Sequence, residues 1–518
     1  CVQKTSSLGG SAQLSSENIS GTEDCLYLDI LAPKNKTSNS LPVMFWIHGG
    51  GNTSGLKDLY DFDKMASKHQ VVIVRINYRL GPFGWFTHPA IQDLQEGIDK
   101  TSNFGTLDII AALKWVKNNI SLFGGDPNNV TIFGESAGGH NVYSLIASKK
   151  ADGLFHKAIS MSGYTTSLSQ EDSYKQREPS STSKYTSYEV VKKLKEKNNF
   201  YISNDESLLQ EREMLLSISA KDFFEIYSER DSYDELPLLT NDGIVIPKIG
   251  LKKALSKKEH VNNVPTIAGS NRDEVKLWLS TARYFVDLDY SVIGSILDIP
   301  RVVLNDEASF EAFNFYRSSA WKIRGVDNPL KSLATAGNTE LYSYRYDWDD
   351  HRRFVIADFK KLIGAAHATE IPILTGNNDL VGGYPLSDLI YPPSISKRYT
   401  SKNMMRFWAN FARTGKPGTS TNNIEWVNYL KNKNQNVMIL DKKKNLSMNK
   451  ITNSYQSLVK DLESDNRVSN REKCVILYQM GVLIGNDIYQ ELEKIYTQRC
   501  NKNDSVQFLL DNASFVSY

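Results

Sequence analysis

The chain has 518 residues, of which 40% are hydrophobic and 23% are charged, a composition typical of globular proteins. Its 61 basic residues nearly balance 59 acidic residues, and the resulting net charge of +2 argues against a nucleic-acid or anionic-membrane partner. No apolar run is long enough to cross a bilayer, which argues against a transmembrane segment.

The first half of the chain alternates apolar runs with a helical pattern. Leu41–Ile47 and Val71–Asn77 are continuous apolar runs, as expected of parallel strands that are buried on both faces. The segment Leu107–Asn118 has apolar residues at helical spacing. Further strand candidates begin at Val130 and cover Lys157–Ser162. This order predicts a doubly wound α/β sheet.

Strand candidates return in the second half at Val264–Ala268, Glu340–Tyr346 and Asn436–Leu440. Large α/β enzymes often fold as one unit, although the length would allow two or three domains. We therefore expect a single catalytic domain over residues 1–450, with a helical tail over residues 451–518 packed on it.

Long insertions separate these strands. A polar stretch at about 164–186 predicts an exposed loop, and helical patterns follow at 188–197 and 207–227. A second irregular and helical stretch covers about 278–331. Insertions between core strands usually form the substrate pocket of an α/β enzyme.

A Gly-x-Ser-x-Gly motif centred on Ser136 joins the run from Val130 to a helix-compatible segment, Ala137–Ala147. A strand-to-helix turn this tight needs small residues at its flanks. The turn would lift the Ser136 hydroxyl clear of the backbone and leave the N–H of Ala137 at a helix start, where negative charge is favoured. The motif predicts a nucleophile elbow, and a serine that only caps the helix is the alternative.

A serine nucleophile needs a base, an acid that orients the base, and donors for an oxyanion. In a sheet of this type the chain order is serine, acid, histidine. Of the eight histidines, only His351 and His367 lie well beyond the strand candidate at Val264. His351 is in a charged stretch, 348–353, which predicts an imidazolium in salt bridges. His367 is in a small-residue loop, 364–370, and is the predicted base.

Two carboxylates follow the strand candidate Val264–Ala268, at the edge of the sheet where the elbow serine would emerge. Asp273 and Glu274 are both candidates for the acid, and a surface ion cluster with Arg272 is the alternative. The triplet Gly49–Gly51 follows another strand candidate and can present backbone N–H groups to an oxyanion. A flexible glycine turn is the alternative there.

Together these segments resemble the type-B carboxylesterases, a family that includes the cholinesterases. The resemblance covers about residues 1 to 440. The matching segments are Glu23–Leu28, Trp46–Gly51, Ile76–Leu80, Phe123–Pro127, Val130–Gly139, Ser270–Glu274 and Gly364–Glu370.

The resemblance implies an α/β-hydrolase fold, with a mostly parallel central sheet flanked by helices and with helical insertions that form the pocket. It implies hydrolysis of small-molecule carboxylic esters through an acyl-enzyme, without a cofactor or a metal. The implied nucleophile is Ser136 and the implied base is His367, with Glu274 rather than Asp273 as the acid. The implied oxyanion hole consists of the N–H groups of Gly50, Gly51 and Ala137.

Two departures from the family pattern bear on this assignment. Val275 follows the acid where the family usually has glycine. The chain has no aromatic residue between Cys1 and Cys25, where cholinesterases carry a tryptophan that holds a quaternary ammonium. We therefore expect neutral aliphatic or aryl esters as substrates, with no preference for choline esters.

Two other functions use the same framework. Some relatives are inactive and serve in adhesion, but these usually lack the serine or another member of the triad, and here every position is filled. Acyl transfer to an alcohol would use the same site as hydrolysis. The sequence leaves the acyl and alcohol specificity and the oligomeric state open.

The four cysteines form one pair near each end of the chain, and none has the spacing of a zinc site. Two disulfide bonds and four ordinary thiols are both compatible with this arrangement. Cys474 and Cys500 flank helical patterns at 475–480 and 488–495, and a disulfide bond there would tie a two-helix tail to the body. Disulfide bonds would indicate an oxidising, extracytoplasmic compartment, although no signal peptide is visible.

The segment from Cys1 to Gln3, followed by 23–25, is similar to the first disulfide loop of the family. The resemblance implies that Cys1 pairs with Cys25, with Cα atoms no more than about 7 Å apart. In relatives several dozen residues precede this loop, so we expect that the N-terminal part of the family domain is missing here. A lipid-modified Cys1 at the start of a lipoprotein is the alternative.

Overall fold

The computed structural model describes residues 1–5, 19–38, 40–175, 186–198, 200, 207–228, 239–289, 301–354, 357–378, 390–432, 434–482, 492 and 494–512. Most of the segment between Cys1 and Cys25 lies outside these residues. So does most of the helical pattern expected at 488–495, and part of the loop expected at 164–186.

A nine-stranded sheet forms the centre of the protein. In chain order its strands β1 to β9 are Leu28–Leu31, Leu41–Ile47, Val72–Ile76, Gly125–Glu135, Lys157–Met161, Thr266–Asn271, Leu341–Tyr346, Val437–Leu440 and Ser447–Asn449. Their spatial order is β9-β8-β7-β6-β5-β4-β2-β3-β1, with antiparallel pairing only where β1 meets β3 and β8 meets β9. The predicted α/β-hydrolase sheet, mostly parallel and flanked by helices, is therefore confirmed.

The longer helices of the described chain lie on both sides of this sheet or in the insertions and the tail. In chain order, α1 to α12 are Asp63–His69, Phe104–Asn119, Ala137–Ile146, Ser187–Lys197, Leu208–Ser217, Ala220–Ser228, Glu307–Lys322, Asn328–Thr335, Ile395–Thr414, Tyr455–Ser464, Asn470–Val482 and Lys502–Asp511. Within the described residues, none of the helices combines the length and the apolar character that crossing a membrane requires.

Both faces of the sheet are buried, which explains why its strands are apolar without alternation. Along β2, Val43, Phe45 and Ile47 pack against the helices on one face. Met44 and Trp46 pack on the opposite face, where they join residues of α1 and α9. The two helix layers therefore hold the sheet as a rigid support for the loops at its edges.

The strand and helix bounds predicted from the sequence differ from the structure in two informative places. β4 begins at Gly125 rather than Val130, because Leu41 at the start of β2 pairs with Gly125. The helical pattern at 207–227 forms two helices, α5 and α6, rather than one. The chain breaks at Ile218, which is extended, and the Ser219 hydroxyl then accepts a hydrogen bond from the N–H of Asp222.

The tail, α10 to α12, packs against α7 in the second insertion. Apolar residues of α7 and of the tail form one buried cluster, which includes Phe313 and Ile476. The Glu472 carboxylate at the start of α11 accepts hydrogen bonds from the hydroxyls of Ser309 and Tyr284, over 2.6 and 3.0 Å. The tail is therefore joined to α7 by polar contacts as well as by apolar packing.

Each pair of cysteines forms a disulfide bond. Cys1 is bonded to Cys25, with Cα atoms 4.9 Å apart, and Cys474 is bonded to Cys500, with Cα atoms 5.6 Å apart. The second bond joins the start of α11 to the segment before α12.

The Cys474–Cys500 bond closes a loop between residues 26 positions apart. A bond of this span limits the unfolded chain, so Cys474→Ser is expected to lower the free energy of unfolding by about 3 kcal/mol. Chemical denaturation under non-reducing conditions measures this change. Thiol titration of the denatured, unreduced wild type should find no free thiol, and two or more thiols per chain would contradict the bonding described here.

Candidate active site

Ser136 lies in the tight turn between β4 and α3. Its φ of 59° and ψ of −121° are unusual for a residue with a side chain, and such strain is common at functional sites. The turn also brings α3 close to β2, because a Cβ added to Gly138 would lie 2.0 Å from the carbonyl oxygen of Ile47. The backbone N–H of Ser136 donates to Met161 O at the end of β5, over 2.8 Å. The hydroxyl is therefore held at the carboxyl edge of the parallel strands.

The glycine loop after β2 lies against this elbow. A Cβ added to Gly49 would lie 2.9 Å from the backbone oxygen of Glu135 and 3.1 Å from the Cβ of Ser136, so a side chain there would displace the elbow. Gly50 and Gly51 have φ angles of 99° and 63°, a conformation that favours glycine. Within the described chain, the N–H groups of Gly50, Gly51 and Ala137 donate no hydrogen bond. These donors therefore remain available to an oxygen atom near Ser136.

His367 and Glu274 form a buried pair at the same edge of the sheet. The Nδ1 atom of His367 lies 2.7 Å from Glu274 Oε2, and the two side chains are 5% and 0% exposed. The N–H of His367 also donates to the backbone oxygen of Glu274, over 3.0 Å. His367 is thus held to Glu274 by two contacts, one to its carboxylate and one to its backbone oxygen.

Glu274 has a second set of partners that the sequence analysis did not include. Its Oε1 atom accepts from the hydroxyl of Ser162 and from the N–H of Asn271, each over 2.7 Å. Ser162 directly follows β5 and has a φ of 49°. The signal in the sequence is its place at the end of a strand next to the elbow strand, because parallel strands end at one edge.

Asp273, the alternative acid, contacts residues other than His367. It pairs with Arg272 over 2.7 Å and accepts from the amide of Asn314 and the N–H of Ala365, over 2.8 and 3.0 Å. Burial opposes ionisation here, but Arg272 and Lys276 outweigh it and lower the pKa of Asp273 to about 2. Asp273 therefore anchors the loop before His367, whereas Glu274 contacts the imidazole.

A second carboxylate, Glu135, lies on the other side of the imidazole. Its Oε1 atom is 3.1 Å from His367 Nε2, and its side chain is 3% exposed. The Ser136 hydroxyl makes no hydrogen bond within the part of the chain that the structure describes, so Nε2 contacts Glu135 rather than the serine. The signal in the sequence is adjacency, since Glu135 directly precedes Ser136 in the motif.

These two carboxylates determine the charge of His367. Burial disfavours the imidazolium, but the charges of Glu135 and Glu274 outweigh it and raise the pKa of His367 to about 9. Burial also raises the pKa of Glu135 to about 7, although the neighbouring imidazole acts in the opposite direction. The imidazole and Glu135 are thus placed to form a buried ion pair.

Two tryptophans from the second insertion cover the imidazole. The ring centroids of Trp278 and Trp321 lie 5.1 and 4.9 Å from that of His367, and the two indoles are stacked 6.0 Å apart. The indole N–H of Trp321 donates to Ser162 O over 3.1 Å. This aromatic wall excludes water from one side of the site, and no motif in the sequence indicates it.

His351 was expected as an imidazolium in salt bridges, and this expectation is wrong. Its ring nitrogens lie 3.2 and 2.7 Å from the backbone oxygens of Ile390 and Gly364, and burial lowers its pKa. The residue is buried against Trp348 and Tyr391, where carbonyl oxygens are the nearest polar partners. No cluster of three or more metal-ligating side chains is found among the described residues.

The sequence model of the carboxylesterase family matches residues 1–298 and 304–458. The chain is 31% identical to the para-nitrobenzyl esterase of Bacillus subtilis over 418 residues, which cover 79% of this chain and 77% of that protein. It is 34% identical to a liver carboxylesterase of Sus scrofa over 430 residues, which cover 76% and 70% of the two chains.

Solved structures lead to the same family. A para-nitrobenzyl esterase structure superposes with a TM-score of 0.57 at 27% identity, over 81% of each chain. A carboxylesterase of Geobacillus stearothermophilus superposes with a TM-score of 0.59 at 25% identity, over 83% of this chain and 84% of that one. The resemblance found in the sequence is thereby confirmed.

The position of His367 between two carboxylates predicts how it titrates. Glu135→Gln removes one negative charge beside the imidazole and should lower the pKa of His367 from about 9 toward the ordinary value of 6.5. Histidine-selective 13C NMR over a pH series measures the change, with His367→Asn to assign the signal. Glu370→Gln is the matched control, because burial raises the pKa of the Glu370 carboxyl and its hydrogen-bond partner is the amide of Asn271 rather than the imidazole. An equal or larger decrease of the His367 pKa in Glu370→Gln would contradict the effect assigned to Glu135.

Proposed function

The chain belongs to the carboxylesterase family, and on that basis we propose that it hydrolyses neutral aliphatic or aryl esters through an acyl-enzyme on Ser136. The observation that carries this proposal is the buried His367–Glu274 pair, joined over 2.7 Å at the sheet edge where Ser136 leaves β4. Ser136 would act as nucleophile, His367 as base and Glu274 as the acid that orients the base.

In the first half of the reaction, the oxygen of Ser136 attacks the ester carbonyl carbon, and its proton passes to Nε2 of a neutral His367. The Nδ1–H of the imidazole meanwhile donates its hydrogen bond to the Glu274 carboxylate. The negative charge of Glu274 stabilises the imidazolium that forms. The carbonyl oxygen becomes an oxyanion, which the free N–H groups of Gly50, Gly51 and Ala137 can bind. When the intermediate collapses, the alcohol leaves with the proton from Nε2.

In the second half, water attacks the acyl-enzyme and gives a proton to Nε2. A second tetrahedral oxyanion forms in the same hole, and its collapse returns the proton to Ser136 and releases the carboxylic acid. Both halves require the neutral imidazole to turn Nε2 from Glu135 to Ser136. The Ser136 hydroxyl, free of other hydrogen bonds among the described residues, is compatible with that contact.

The aromatic wall provides apolar surface beside the candidate site. Trp278 and Trp321 present apolar rings beside His367, and such rings favour aryl or aliphatic groups of an ester.

The two disulfide bonds support an extracytoplasmic location, because disulfides persist in oxidising compartments.

Substitution of the triad tests the mechanism. Ser136→Ala and His367→Ala should each lower kcat for p-nitrophenyl butyrate by at least about 10,000-fold, and Glu274→Gln by about 1,000-fold, because triad members act as one unit. Asp273→Asn is the matched control beside Glu274, since it removes a buried carboxylate that does not contact His367. It should lower the midpoint of thermal unfolding, and its loss of kcat should be smaller than that of Glu274→Gln. A larger loss of kcat in Asp273→Asn than in Glu274→Gln would reverse the assignment of the acid.

Labelling separates an active enzyme from an inactive relative. A fluorophosphonate probe should modify Ser136 in the wild type and leave Ser136→Ala unmodified, as measured by mass spectrometry of the labelled peptide. An unlabelled wild-type serine together with no ester hydrolysis would instead support the adhesion function.

Substrate charge is tested with two thioesters of equal acyl length. The chain has no aromatic residue between Cys1 and Cys25, so kcat/KM for butyrylthiocholine should not exceed kcat/KM for a neutral butyryl thioester. A clear preference for the choline ester would reject the neutral-ester proposal while leaving the Ser136 mechanism intact.

A further inference from the structure

The glycine loop and helix α3 are joined by a side-chain hydrogen bond. The amide of Asn141 donates to Asn52 Oδ1 over 2.8 Å, and both side chains are fully buried. Asn52 directly follows Gly51. Asn141 comes four residues after Ala137, on the same face of α3. The bond therefore connects the two segments that carry the N–H groups proposed for the oxyanion.

The backbone at Asn52 is held in a position that few residues adopt. Its φ is 60°, in the left-handed region that asparagine tolerates better than most residues with a side chain. Its carbonyl accepts from the N–H of Gly81 over 2.7 Å. Behind the loop, the Tyr78 hydroxyl donates to His48 O over 2.7 Å and lies 3.4 Å from Asn52 Oδ1. These hydrogen bonds hold the loop in place on its buried side.

The two asparagines also carry an energetic penalty that packing alone does not explain. Asn52 Nδ2 and Asn141 Oδ1 are buried and have no hydrogen-bond partner within the part of the chain that the structure describes. A buried amide atom without a partner is destabilising, and an apolar pair of similar size would avoid this loss. A polar pair therefore occupies a place where an apolar pair would be more stable.

We propose that Asn52 and Asn141 are positioning residues that set the spacing between the N–H groups of Gly50 and Gly51 and that of Ala137. Both side chains are fully buried. They act through the backbone donors, whose stabilisation of a transition state depends on their spacing. The inference rests on the proposed esterase function and adds two residues to it.

Asn141→Leu removes the donor with little change in size, and Asn52→Gly removes the acceptor while allowing the left-handed backbone. With p-nitrophenyl butyrate, each variant should lower kcat by about tenfold or more and change KM by less than about threefold, because misplaced donors weaken transition-state binding first. The inhibition constant of a trifluoromethyl ketone, which forms a tetrahedral adduct with serine, should rise by the same factor as kcat falls.

The double variant tests whether the two residues act together. Since both single changes break one bond, Asn52→Gly with Asn141→Leu should lower kcat no further than the worse single variant. Asn403→Leu is the matched control. Asn403 is also fully buried in a helix, and its amide donates to Tyr399 O over 3.0 Å, but it lies in α9 on the opposite side of the sheet. That variant should lose stability and retain the wild-type kcat.

Two results would overturn the inference. One is a kcat within twofold of the wild type in Asn52→Gly. The other is a loss of kcat in the double variant that equals the product of the losses in the two single variants. If Asn141→Leu fails to fold, Asn52→Gly decides the question alone. Hydrolysis that persists in Ser136→Ala would instead reject the proposed function, which is a separate outcome.

Discussion

The imidazole of His367 lies between two buried carboxylates, and much of the surrounding structure keeps these three groups together. A charged histidine in a buried site requires partners, and Glu274 and Glu135 supply them on its two ring nitrogens. Glu274 is itself held by the hydroxyl of Ser162 and the N–H of Asn271. Because each group has a partner, a charged imidazole can persist where water is largely excluded, and the histidine remains in a fixed orientation beside the elbow.

The parallel sheet is what brings these groups to one place. β4, β5 and β6 are neighbours, and their carboxyl ends carry Ser136, Ser162 and Glu274. His367 comes from the loop after β7, which Asp273 ties down through the N–H of Ala365. The two adjacent carboxylates thus have different partners. Glu274 contacts the imidazole, and Asp273 holds the loop that carries it.

The second insertion connects the site to the tail. Helix α7 provides Trp321 beside His367, and its Ser318 hydroxyl accepts from the N–H of Val275, next to Glu274. In the first turn of the same helix, the Ser309 hydroxyl donates to Glu472 of the tail. The contact of Val275 with α7 also gives a physical role to a residue that departs from the family pattern, because its side chain is fully buried in the cluster that α7 and the tail share.

The sequence by itself determined the core strands, the elbow turn and the glycine loop, because these follow from local periodicity and from backbone conformations that favour glycine. It could not decide between Asp273 and Glu274 from their neighbours alone, since the two carboxylates share one local setting. Only the tertiary structure placed Glu274 against His367, 93 residues away, and Glu135 on the opposite ring nitrogen. The tertiary structure also brought together the two tryptophans of the aromatic wall, and it placed Asn141 within hydrogen-bond distance of Asn52, 89 residues away. Such contacts depend on how distant segments pack, and local patterns of residue type do not contain that information.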